Sequence, residues 1–477
     1  MNLAIPSSRR SFLVQAMAVA GMLQLTCAHA VAAHKLVVSN VTQLYSVEVA
    51  RIASPRATDE VSALIKNWSG QVAVGGGRYS MGGQVAIRGG LHLDMRQMNQ
   101  LLWLRRAQRT VRVQAGMRWR ELQDRLDPLG LAVKTMQSFS NFTVGGSVSV
   151  NAHGRYVGHG PVGHSVRALQ LVLADGAVVE TSPASNRELF AAAIGGYGAI
   201  GIITEVELEL ADNVRIERTV EDVLLDQYVT YFKERVLRDS AAILHNADLL
   251  PPAFDAPVSV TWRRVADTRA LTESARLALR EQSYGTEQNA IWAMTELPGG
   301  RRLRGALVQP LLTSKPVVKW LNHEASADLA QLEPRTRLVS TYVLQEYFIP
   351  EEHFLPFARE MAALLQRHDV EALNVSIRHS PADKVSCLPW AREDVFSFVL
   401  YYKQRTHAVA QRVVAGWTRE LIDVALRHGG RYYLPYQLHA TKTQFDQAYP
   451  EAKQLRVLKA RVDPEGKLSN ELWKLYL

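Results

Sequence analysis

Two glycine-rich segments, each beside a short apolar run, constrain the fold of this chain more than any other feature. Residues 72–77 read Val-Ala-Val-Gly-Gly-Gly, and residues 144–147 read Val-Gly-Gly-Ser. Consecutive glycines accept positive φ angles without steric cost, so their N–H groups can converge on an anion such as a pyrophosphate. One loop of this kind is more often a tight turn than a phosphate site. Two such loops together predict a site for a large dinucleotide.

The spacing of the glycines does not match the nicotinamide dinucleotide fingerprint. That fingerprint places G-x-G-x-x-G between a strand and a helix, with an acidic residue about 20 positions later. Here Gly75 and Gly77 are followed by Ser80, and residues 89–95 read as a turn and a strand. The sequence therefore argues against a Rossmann domain.

Residues 1–30 have the features of an export signal. Paired arginines, Arg9 and Arg10, precede an uncharged apolar run, and Ala-His-Ala follows at residues 28–30. A basic start, a short apolar stretch and a small-x-small site predict removal of this segment. The paired arginines resemble a twin-arginine signal, which predicts a periplasmic protein exported in the folded state. The alternative is a membrane anchor, but a stretch shorter than about 18 residues spans a bilayer poorly.

Composition places the chain among ordinary globular proteins with room for two domains: 477 residues, 47% apolar and 21% charged. The net charge of +9 becomes +7 when Arg9 and Arg10 are subtracted, and the remaining Lys and Arg are interspersed with acids. A nucleic-acid binder would cluster them, so no nucleic-acid partner is expected. The charge favours anionic cofactors, substrates or a peripheral contact with the cell envelope. Cleavage would leave Cys387 as the one cysteine, so no intrachain disulfide is expected.

The hydrophobic pattern predicts an α+β protein, with strands grouped rather than strictly alternating with helices. Glycine turns separate short β-like runs in the first part of the chain, and the region that follows is less informative. The predicted elements are a helix at residues 119–126, a hairpin at 168–180, a strand at 202–210, a loop at 297–302, a helix at 354–365 and a strand at 396–402.

Over nearly its whole length the chain resembles the vanillyl-alcohol oxidase and p-cresol methylhydroxylase superfamily of FAD-dependent oxidoreductases. The motifs that carry the resemblance occur in order at residues 75–84, 93–99, 113–116, 144–147, 152–154, 173–176 and 195–203. Residues 449–470 look like the C-terminus of the aldonolactone oxidase and decaprenylphosphoryl-ribose oxidase branch. The resemblance implies a two-subdomain FAD-binding domain of the p-cresol methylhydroxylase type at residues 31–212 and a cap domain with an antiparallel sheet at 213–440. Residues 441–477 would return to the FAD domain.

The resemblance also implies which residues bind FAD. They are Gly75, Gly76, Gly77, Arg78, Tyr79, Ser80, Gly116, Val144, Gly145, Gly146, Ser147, His153, Gly198, Gly201 and Ile203. Arg78 could place a positive charge beside the pyrophosphate, or it could be a surface arginine. His153 could lie near the flavin, or it could be a core histidine with its hydrogen bonds satisfied.

In many members of the superfamily a histidine just after the first glycines bonds covalently to the flavin. Tyr79 stands at that position here, and Arg78 stands where a glycine would be. The other known attachment is a cysteine in the second glycine segment, which carries Phe142 and Thr143 instead. We therefore expect FAD to be bound without a covalent link.

The reaction that the resemblance implies is hydride transfer from a hydroxyl-bearing carbon to flavin N5, while a base takes the hydroxyl proton. The candidate catalytic residues come from three segments of the cap: Gln345 and Glu346, then Arg378, then Tyr436 and His439. A tyrosine or histidine could act as base or donor, and Arg378 could polarise an oxyanion or bind a carboxylate. For each residue the alternative is an interior polar group satisfied by its neighbours. No metal site is predicted.

Three functions fit these observations. The leading hypothesis is oxidation of a sugar-derived alcohol, polyol or aldonolactone, with oxygen or a respiratory carrier as electron acceptor. The second is oxidation of a lipid-linked sugar, or reduction of a C=C bond, on the same flavin. Tyr436 falls where the decaprenylphosphoryl-ribose branch carries a lysine, which argues against that particular substrate. The third is an envelope binding protein without flavin, which Tyr79 favours and the intact glycines oppose.

Overall fold

In the part of the chain that the structure describes, strands form four separate sheets, and residues of three of these sheets line the cavity described below. The computed structural model describes residues 35–280, 283–296, 316–334 and 336–477. The export signal expected at residues 1–30 and the loop expected at residues 297–302 lie outside the described residues.

A three-stranded parallel sheet carries the first glycine segment. Its strands pair in the order β3–β5–β4, and β1 and β2 pair separately as a two-stranded sheet. Helix α1 follows β3, and its Val61 and Ile65 pack against Leu91 and Leu93 in one apolar cluster. The glycines therefore begin where a buried strand ends. The elements are β1 (Leu36–Ser39), β2 (Ser46–Val49), β3 (Arg51–Ala53), α1 (Thr58–Asn67), β4 (Val72–Gly75) and β5 (Leu91–Asp94).

A six-stranded sheet follows, in the order β10–β9–β11–β7–β6, with β8 pairing to β11. The predicted helix, hairpin and strand of this region are confirmed as α2, β9 with β10, and β11. Gly176 has a φ of 80° in the hairpin turn, a value that favours glycine. The elements are β6 (Leu101–Arg105), β7 (Thr110–Gln114), α2 (Trp119–Leu126), β8 (Leu131–Val133), α3 (Val144–Ser149), β9 (Val166–Val172), β10 (Val178–Thr181), α4 (Arg187–Ala193) and β11 (Ile202–Asp212).

An eight-stranded antiparallel sheet forms the next layer, in the order β15–β12–β14–β13–β17–β18–β16–β19. The antiparallel sheet, the helix at residues 354–365 and the strand at 396–402 are all confirmed. The strands are β12 (Arg215–Asp222), β13 (Ala242–Leu249), β14 (Val258–Arg264), β15 (Val318–Trp320), β16 (Ser340–Pro350), β17 (Ala372–Ser380), β18 (Val395–Arg405) and β19 (Arg431–Tyr432). The helices are α5 (Tyr228–Tyr231), its π-helical continuation (Phe232–Leu237), α6 (Gly285–Glu296), α7 (Leu321–Ala325), α8 (Phe354–Arg367) and α9 (Ala408–Arg427).

The two faces of the large sheet have different neighbours. Side chains alternate between faces along a strand. Val343, Val375 and Phe398 belong to the apolar cluster that also contains side chains of α8 and α9. On each of β16, β17 and β18, the residues that alternate with these core residues face the other side of the sheet, where the cavity lies.

The C-terminal segment packs back onto the glycine-bearing part of the chain. It forms helices α10 (Lys442–Ala448), α11 (Ala452–Val462) and α12 (Glu471–Tyr476). Val72 N–H donates to the Lys467 carbonyl at 2.7 Å, and Asn470 Nδ2 donates to the Tyr197 carbonyl at 2.8 Å. Val37–Leu477 forms one compact unit by its internal contacts, so the three domain boundaries stay predictions. Within the described ranges, no helix is long and apolar enough to cross a membrane.

Candidate active site

A cavity of about 840 Å³ is lined by both glycine segments and by one face of the eight-stranded sheet. Its volume is in the range of natural ligand sites, which is roughly 300–1,000 Å³. All the residues expected to bind FAD line this cavity except Gly116 and Val144. Of the catalytic candidates, Glu346, Arg378 and Tyr436 line it, whereas Gln345 and His439 do not.

The glycines allow the two segments to approach each other closely. A Cβ atom on Gly76 would overlap Thr143 of the second segment, and a Cβ atom on Gly145 would lie 2.5 Å from the Ala115 Cβ. Gly116 does not face the cavity because its backbone packs against the Met95 carbonyl. The glycines therefore bring two stretches of bare backbone to one end of the cavity, as a dinucleotide pyrophosphate requires.

Arg78 is tied into a charged network at the edge of the first glycine segment. Its Nη2 donates to Asp94 Oδ2 at 2.9 Å and lies 3.1 Å from His92 Nε2. Burial and the charge of Arg78 lower the pKa of His92 to about 4. Burial opposes ionisation of Asp94, but hydrogen bonds from Arg96 and the two arginine charges keep its pKa below the ordinary value. Arg78 is thus a fixed, half-buried cation rather than a surface arginine.

Four residues that line the cavity have a buried polar atom without a hydrogen-bond partner among the described residues. These atoms are Nε of Arg78, Oγ of Ser138, Nδ1 of His323 and Nε of Arg378. Buried donors are rarely left unpaired, so the wall fits a ligand rich in oxygen acceptors, such as a pyrophosphate or a flavin. Tyr79 follows Arg78 in the chain, and its ring packs edge-on against Phe142 at 4.8 Å. The cavity therefore fits FAD without a histidine at the attachment position.

A buried carboxylate and a buried imidazole meet on the sheet side of the cavity. His153 Nε2 lies 2.5 Å from Glu346 Oε1, and their side chains are 5% and 3% exposed. Tyr436 Oη donates to Glu346 Oε2 at 3.2 Å. Burial opposes ionisation of Glu346, but His153, the charge of Arg378 and the bond from Tyr436 together lower its pKa below the ordinary value. Glu346 is therefore a carboxylate at neutral pH.

An aromatic cage fixes the imidazole of His153. The ring centroids of Trp390 and Phe348 lie 4.9 and 5.5 Å from that of His153, and these two rings stack on each other at 4.1 Å. Trp390 Nε1 and Tyr433 Oη donate to the carbonyls of residues 151 and 150, which precede the histidine. The cage thus anchors the second glycine segment and the imidazole together.

Polar side chains line the half of the sheet face formed by β13 and β17. They are Asn246, Asp248, Asn374, Ser376 and Arg378. Each strand contributes alternate residues, as expected for one face of a sheet. Asn374 Nδ2 donates to Asp248 Oδ1 at 3.2 Å, while Nε of Arg378 is buried without a hydrogen-bond partner in the described chain. This polar stripe ends at Arg378, beside Glu346.

The other half of the same face is largely apolar. Strands β16 and β18 contribute Tyr342, Leu344, Val399 and Tyr401, and Ile291, Leu332 and Leu373 extend this wall. A cluster of ion pairs lines a further part of the cavity wall. Glu324 binds Arg155 at 2.7 Å and Lys319 at 2.5 Å. The cavity is therefore divided between a polar wall and an apolar wall.

The structure separates the catalytic candidates that the sequence could not rank. Gln345 lies on the opposite face of β16 from Glu346 and donates to Tyr402 Oη at 2.9 Å and Thr418 Oγ1 at 2.7 Å. His439 bonds Gln437 at 3.2 Å, and burial and the charge of Arg419 lower its pKa to about 4. Neither residue reaches the cavity, so both fit the interior polar alternative.

Five cavity residues were not indicated by the sequence, namely Arg155, Asn246, Asp248, Lys319 and Glu324, nor was Trp390, which packs against His153. Asn246 and Asp248 alternate with buried apolar residues along β13, and this period-2 pattern was the one signal available. Trp390 follows a proline in a segment without regular structure, so no periodicity indicated it.

Outside the cavity, three side chains of the described residues have the composition of a metal site. Glu351, His379 and Asp394 have ligand atoms within 4.8 Å of one another. Lys233 already pairs with Glu351, and none of these residues lines the cavity. The group therefore has no part in the cavity chemistry.

Comparisons with known proteins agree with this geometry. Residues 49–182 match the family model described as an FAD binding domain. L-gulonolactone oxidase of Mus musculus is 24% identical over 423 residues, covering 86% of this chain and 90% of that protein. Decaprenylphosphoryl-beta-D-ribose oxidase of Mycolicibacterium smegmatis is 34% identical over 143 residues, covering 30% of this chain and 31% of that protein.

The fold comparison extends over nearly the whole chain. The solved structure of a solvent-stable cholesterol oxidase superposes with a TM-score of 0.71 at 14% identity, covering 92% of this chain and 97% of that one. At this identity the likeness concerns the fold alone. The domain match, the curated relatives and this fold together show that the chain is an FAD-dependent oxidoreductase with a fold of the p-cresol methylhydroxylase type.

Proposed function

We propose that this enzyme oxidises a hydroxyl-bearing carbon of a sugar-derived alcohol, polyol or aldonolactone. The observation that carries the proposal is the polar stripe of β13 and β17, which ends at the buried Glu346–His153 pair. Amide, carboxylate, hydroxyl and guanidinium groups at alternate positions suit a substrate with several hydroxyl groups in a row. The relative named L-gulonolactone oxidase points to the same class of compound.

Each residue at the end of the stripe has a role in this proposal. Glu346, held as a carboxylate, accepts the proton of the substrate hydroxyl. Arg378 stabilises the negative charge that develops on the substrate oxygen, since its buried Nε has a donor to spare. His153 and Tyr436 orient the carboxylate by bonding one oxygen each. When bound, FAD supplies the acceptor for the hydride that leaves the same carbon.

With Glu346 as the proton acceptor and bound FAD as the hydride acceptor, the protons and electrons of the reaction balance. The substrate loses one C–H bond as hydride and one O–H proton, and a C=O bond forms. Two electrons leave with the hydride, and the proton moves to Glu346. Glu346 becomes a neutral carboxylic acid in this step, and His153, 2.5 Å from its Oε1, keeps that oxygen in place.

A second candidate is oxidation of a sugar that carries an apolar group, such as a lipid-linked sugar. The apolar wall formed by Tyr342, Leu344, Ile291, Leu332 and Leu373 favours it, because a simple polyol would leave this wall without a partner. In this case the polar stripe would bind the sugar and the apolar wall would bind the attached group.

We further propose that FAD is held without a covalent bond and that the enzyme acts in the periplasm. Tyr79 in place of a histidine supports the first statement, and the signal-like residues 1–30 support the second. Oxygen or a respiratory carrier would reoxidise the flavin.

The reaction is tested by product analysis with purified enzyme and an artificial electron acceptor. The panel contains alditols, aldonolactones and alkyl glycosides, and the products are analysed by mass spectrometry. We expect at least one compound to lose two hydrogens at a hydroxyl-bearing carbon. Activity restricted to alkyl glycosides would favour the second candidate, whereas reduction of a C=C substrate with no alcohol oxidation would refute both.

A further inference from the structure

Residues 381–394 connect β17 to β18 and pack behind the imidazole of His153. We call them the β17–β18 loop. The loop carries Trp390, whose ring lies 4.9 Å from that of His153, and Asp383, whose side chain is 0% exposed. The Asp383 N–H donates to the Ala391 carbonyl at 2.7 Å, which closes the loop on itself next to Trp390. A buried carboxylate is costly unless it is well bonded, so the partners of Asp383 indicate what it does.

Hydrogen-bond donors surround the carboxylate of Asp383. Its Oδ2 accepts bonds from Asn151 Nδ2 at 2.8 Å and from the Ser386 hydroxyl. Its Oδ1 accepts from the N–H groups of Val385 and Ser386 at 2.9 and 3.2 Å, and His164 Nε2 lies 3.6 Å away. Burial opposes ionisation of Asp383, but these donors lower its pKa below the ordinary value. Asp383 is therefore a charged group that binds its own loop on one side and Asn151 on the other.

Asn151 joins this carboxylate to the chain just before His153. It is fully buried and has a φ of 50°, in the left-handed region that asparagine adopts more readily than most residues. Its Oδ1 accepts the Gly163 N–H at 3.0 Å, and its carbonyl accepts Trp390 Nε1 at 2.9 Å. The β17–β18 loop thus holds Asn151 by both its side chain and its carbonyl.

The position of the His153 ring depends on the turn at Asn151. His153 follows that turn by two residues, and its Nε2 lies 2.5 Å from Glu346 Oε1. Its Nδ1 contacts the carbonyl of the adjacent Gly154 at 3.3 Å, a local contact that does not fix the ring relative to the sheet. The direction of the bond to Glu346 is therefore set by the turn and by packing against Trp390. The β17–β18 loop holds the first and contains the second.

We propose that Asp383 is a positioning residue, which acts through Asn151 to place the imidazole of His153 against Glu346. The inference rests on the proposed function for the role of Glu346 as base, whereas the path from Asp383 to His153 consists of contacts within the protein. Asp383 does not line the cavity. A change at Asp383 should therefore alter the geometry and ionisation of Glu346 without altering the polar stripe that would bind the substrate.

The test variant is Asp383→Asn, which keeps the shape of the side chain but has one acceptor oxygen where the donors require two. The rescue variant combines Asp383→Asn with Asn151→Asp, which again sets a donor opposite an acceptor. The matched control is Asp127→Asn. Asp127 is a buried carboxylate outside the cavity that accepts the Nδ2 groups of Asn213 and Asn322 at 2.8 and 2.9 Å.

Three measurements are made on each FAD-loaded variant and on Glu346→Gln. Crystal structures give the separation of His153 Nε2 from the residue 346 side chain. Flavin reduction without oxygen gives the rate at saturation, the half-saturating concentration and the pH profile. The reductant is the alditol, aldonolactone or alkyl glycoside that reduces the unaltered enzyme fastest. Thermal unfolding gives the stability.

In Asp383→Asn the separation of His153 from Glu346 should exceed hydrogen-bond distance, about 3.5 Å, while FAD stays bound. Flavin reduction at saturation should slow by up to about 10²-fold, as a misplacement of roughly 1 Å can cause, with the half-saturating concentration unchanged. Burial raises the pKa of Glu346, and His153, Arg378 and Tyr436 lower it, so loss of the His153 bond should move the acid limb to higher pH. The rescue variant should restore all three values, and Asp127→Asn should lose stability without changing them.

A normal separation and a normal rate in Asp383→Asn, with Glu346→Gln slow, would overturn this inference and leave the proposed reaction standing. Equal slowing in Asp127→Asn would also overturn it. If Asp383→Asn does not fold, Asn151→Gly should give the same shifts, because it keeps the left-handed turn and removes the bond to Asp383; unchanged values would overturn the inference. A Glu346→Gln variant with a normal rate would instead refute the proposed reaction, and the separation in Asp383→Asn would still decide whether Asp383 positions His153.

Discussion

Replacing Glu346 by glutamine separates the proposed chemistry from the structural role of this residue. The amide has nearly the same shape and can still bond both His153 and Tyr436, but it carries no negative charge and is not a base. The change therefore tests the carboxylate itself. We expect the variant to fold, to keep FAD and to lose most of its turnover.

The expected magnitudes follow from the contacts of Glu346. Hydrogen bonds to a charged group contribute about 1.5–3 kcal/mol, against about 1 kcal/mol for neutral pairs, so exchanging two of them lowers the free energy of unfolding by roughly 1–4 kcal/mol. Loss of a positioned base typically slows a proton transfer about 10²–10⁴-fold. At about 1.36 kcal/mol per tenfold change, this rate loss corresponds to roughly 2.7–5.4 kcal/mol in the barrier.

The assay is the rate of flavin reduction by substrate in the absence of oxygen, followed by the loss of visible flavin absorbance. The matched control is Gln345→Met, one residue away on the opposite face of β16, which removes the bonds to Tyr402, Thr418 and Tyr347. The control should lose about 1–3 kcal/mol of stability, because it leaves buried polar partners unpaired, and should reduce its flavin at the normal rate.

The result that would refute the reasoning is a Glu346→Gln variant that reduces its flavin as fast as the unaltered enzyme. Equal slowing in Gln345→Met would also refute it, because the effect would then come from disturbance of the strand and not from the carboxylate.

Three further predictions concern the glycine segments and the charge of Glu346. Gly145→Ala should destabilise the protein by about 1–3 kcal/mol and weaken FAD binding, because its Cβ would lie 2.5 Å from another Cβ. Gly416→Ala is the control: a Cβ at Gly416 would meet no heavy atom within 4 Å, so this change should stabilise helix α9 by up to about 1 kcal/mol. Thermal unfolding measures the stability of both variants, and titration with FAD measures their cofactor binding. Tyr436→Phe removes a bond that lowers the pKa of Glu346, so the acid limb of the flavin-reduction profile should move to higher pH. Arg78→Ala should release FAD more readily without unfolding the chain, as ultrafiltration followed by absorbance would show.

Each of these predictions has a result that would contradict it. Tight FAD binding in Gly145→Ala would mean that FAD binding does not need the close packing of Gly145 against Ala115. An acid limb of Tyr436→Phe that stays in place or moves to lower pH would mean that the acid limb does not report the carboxylate. Unchanged FAD retention in Arg78→Ala would mean that its charge serves only the ion pair with Asp94.

The part of the cavity that the glycines line was predictable from the sequence because its residues belong to short, ordered motifs. Clustered glycines next to a short apolar run indicate close backbone approach, so Gly75 to Gly77 and Gly145 could be assigned before any contact was known. Their neighbour Arg78 was ambiguous, since sequence alone could not show that Asp94 and His92 hold it in place.

The substrate end was predictable only in part. Glu346 and Gln345 are both buried, and a strand buried on both faces gives no alternation to show which side chain lines a cavity. The contact between His153 and Glu346 joins residues 193 positions apart, which no local pattern indicates. Asn246 and Asp248 had a readable alternation, but their meaning depended on knowing that β13 lies beside β17.

The most direct test of the proposed reaction is anaerobic titration of the purified enzyme with sugar-derived compounds while its flavin absorbance is recorded. Acid precipitation beforehand should release the yellow colour to the supernatant, as expected for FAD without a covalent link. The account predicts that at least one polyol, aldonolactone or glycoside bleaches the flavin and that Glu346→Gln abolishes the bleaching. A flavin that no hydroxyl-bearing sugar compound reduces would contradict it.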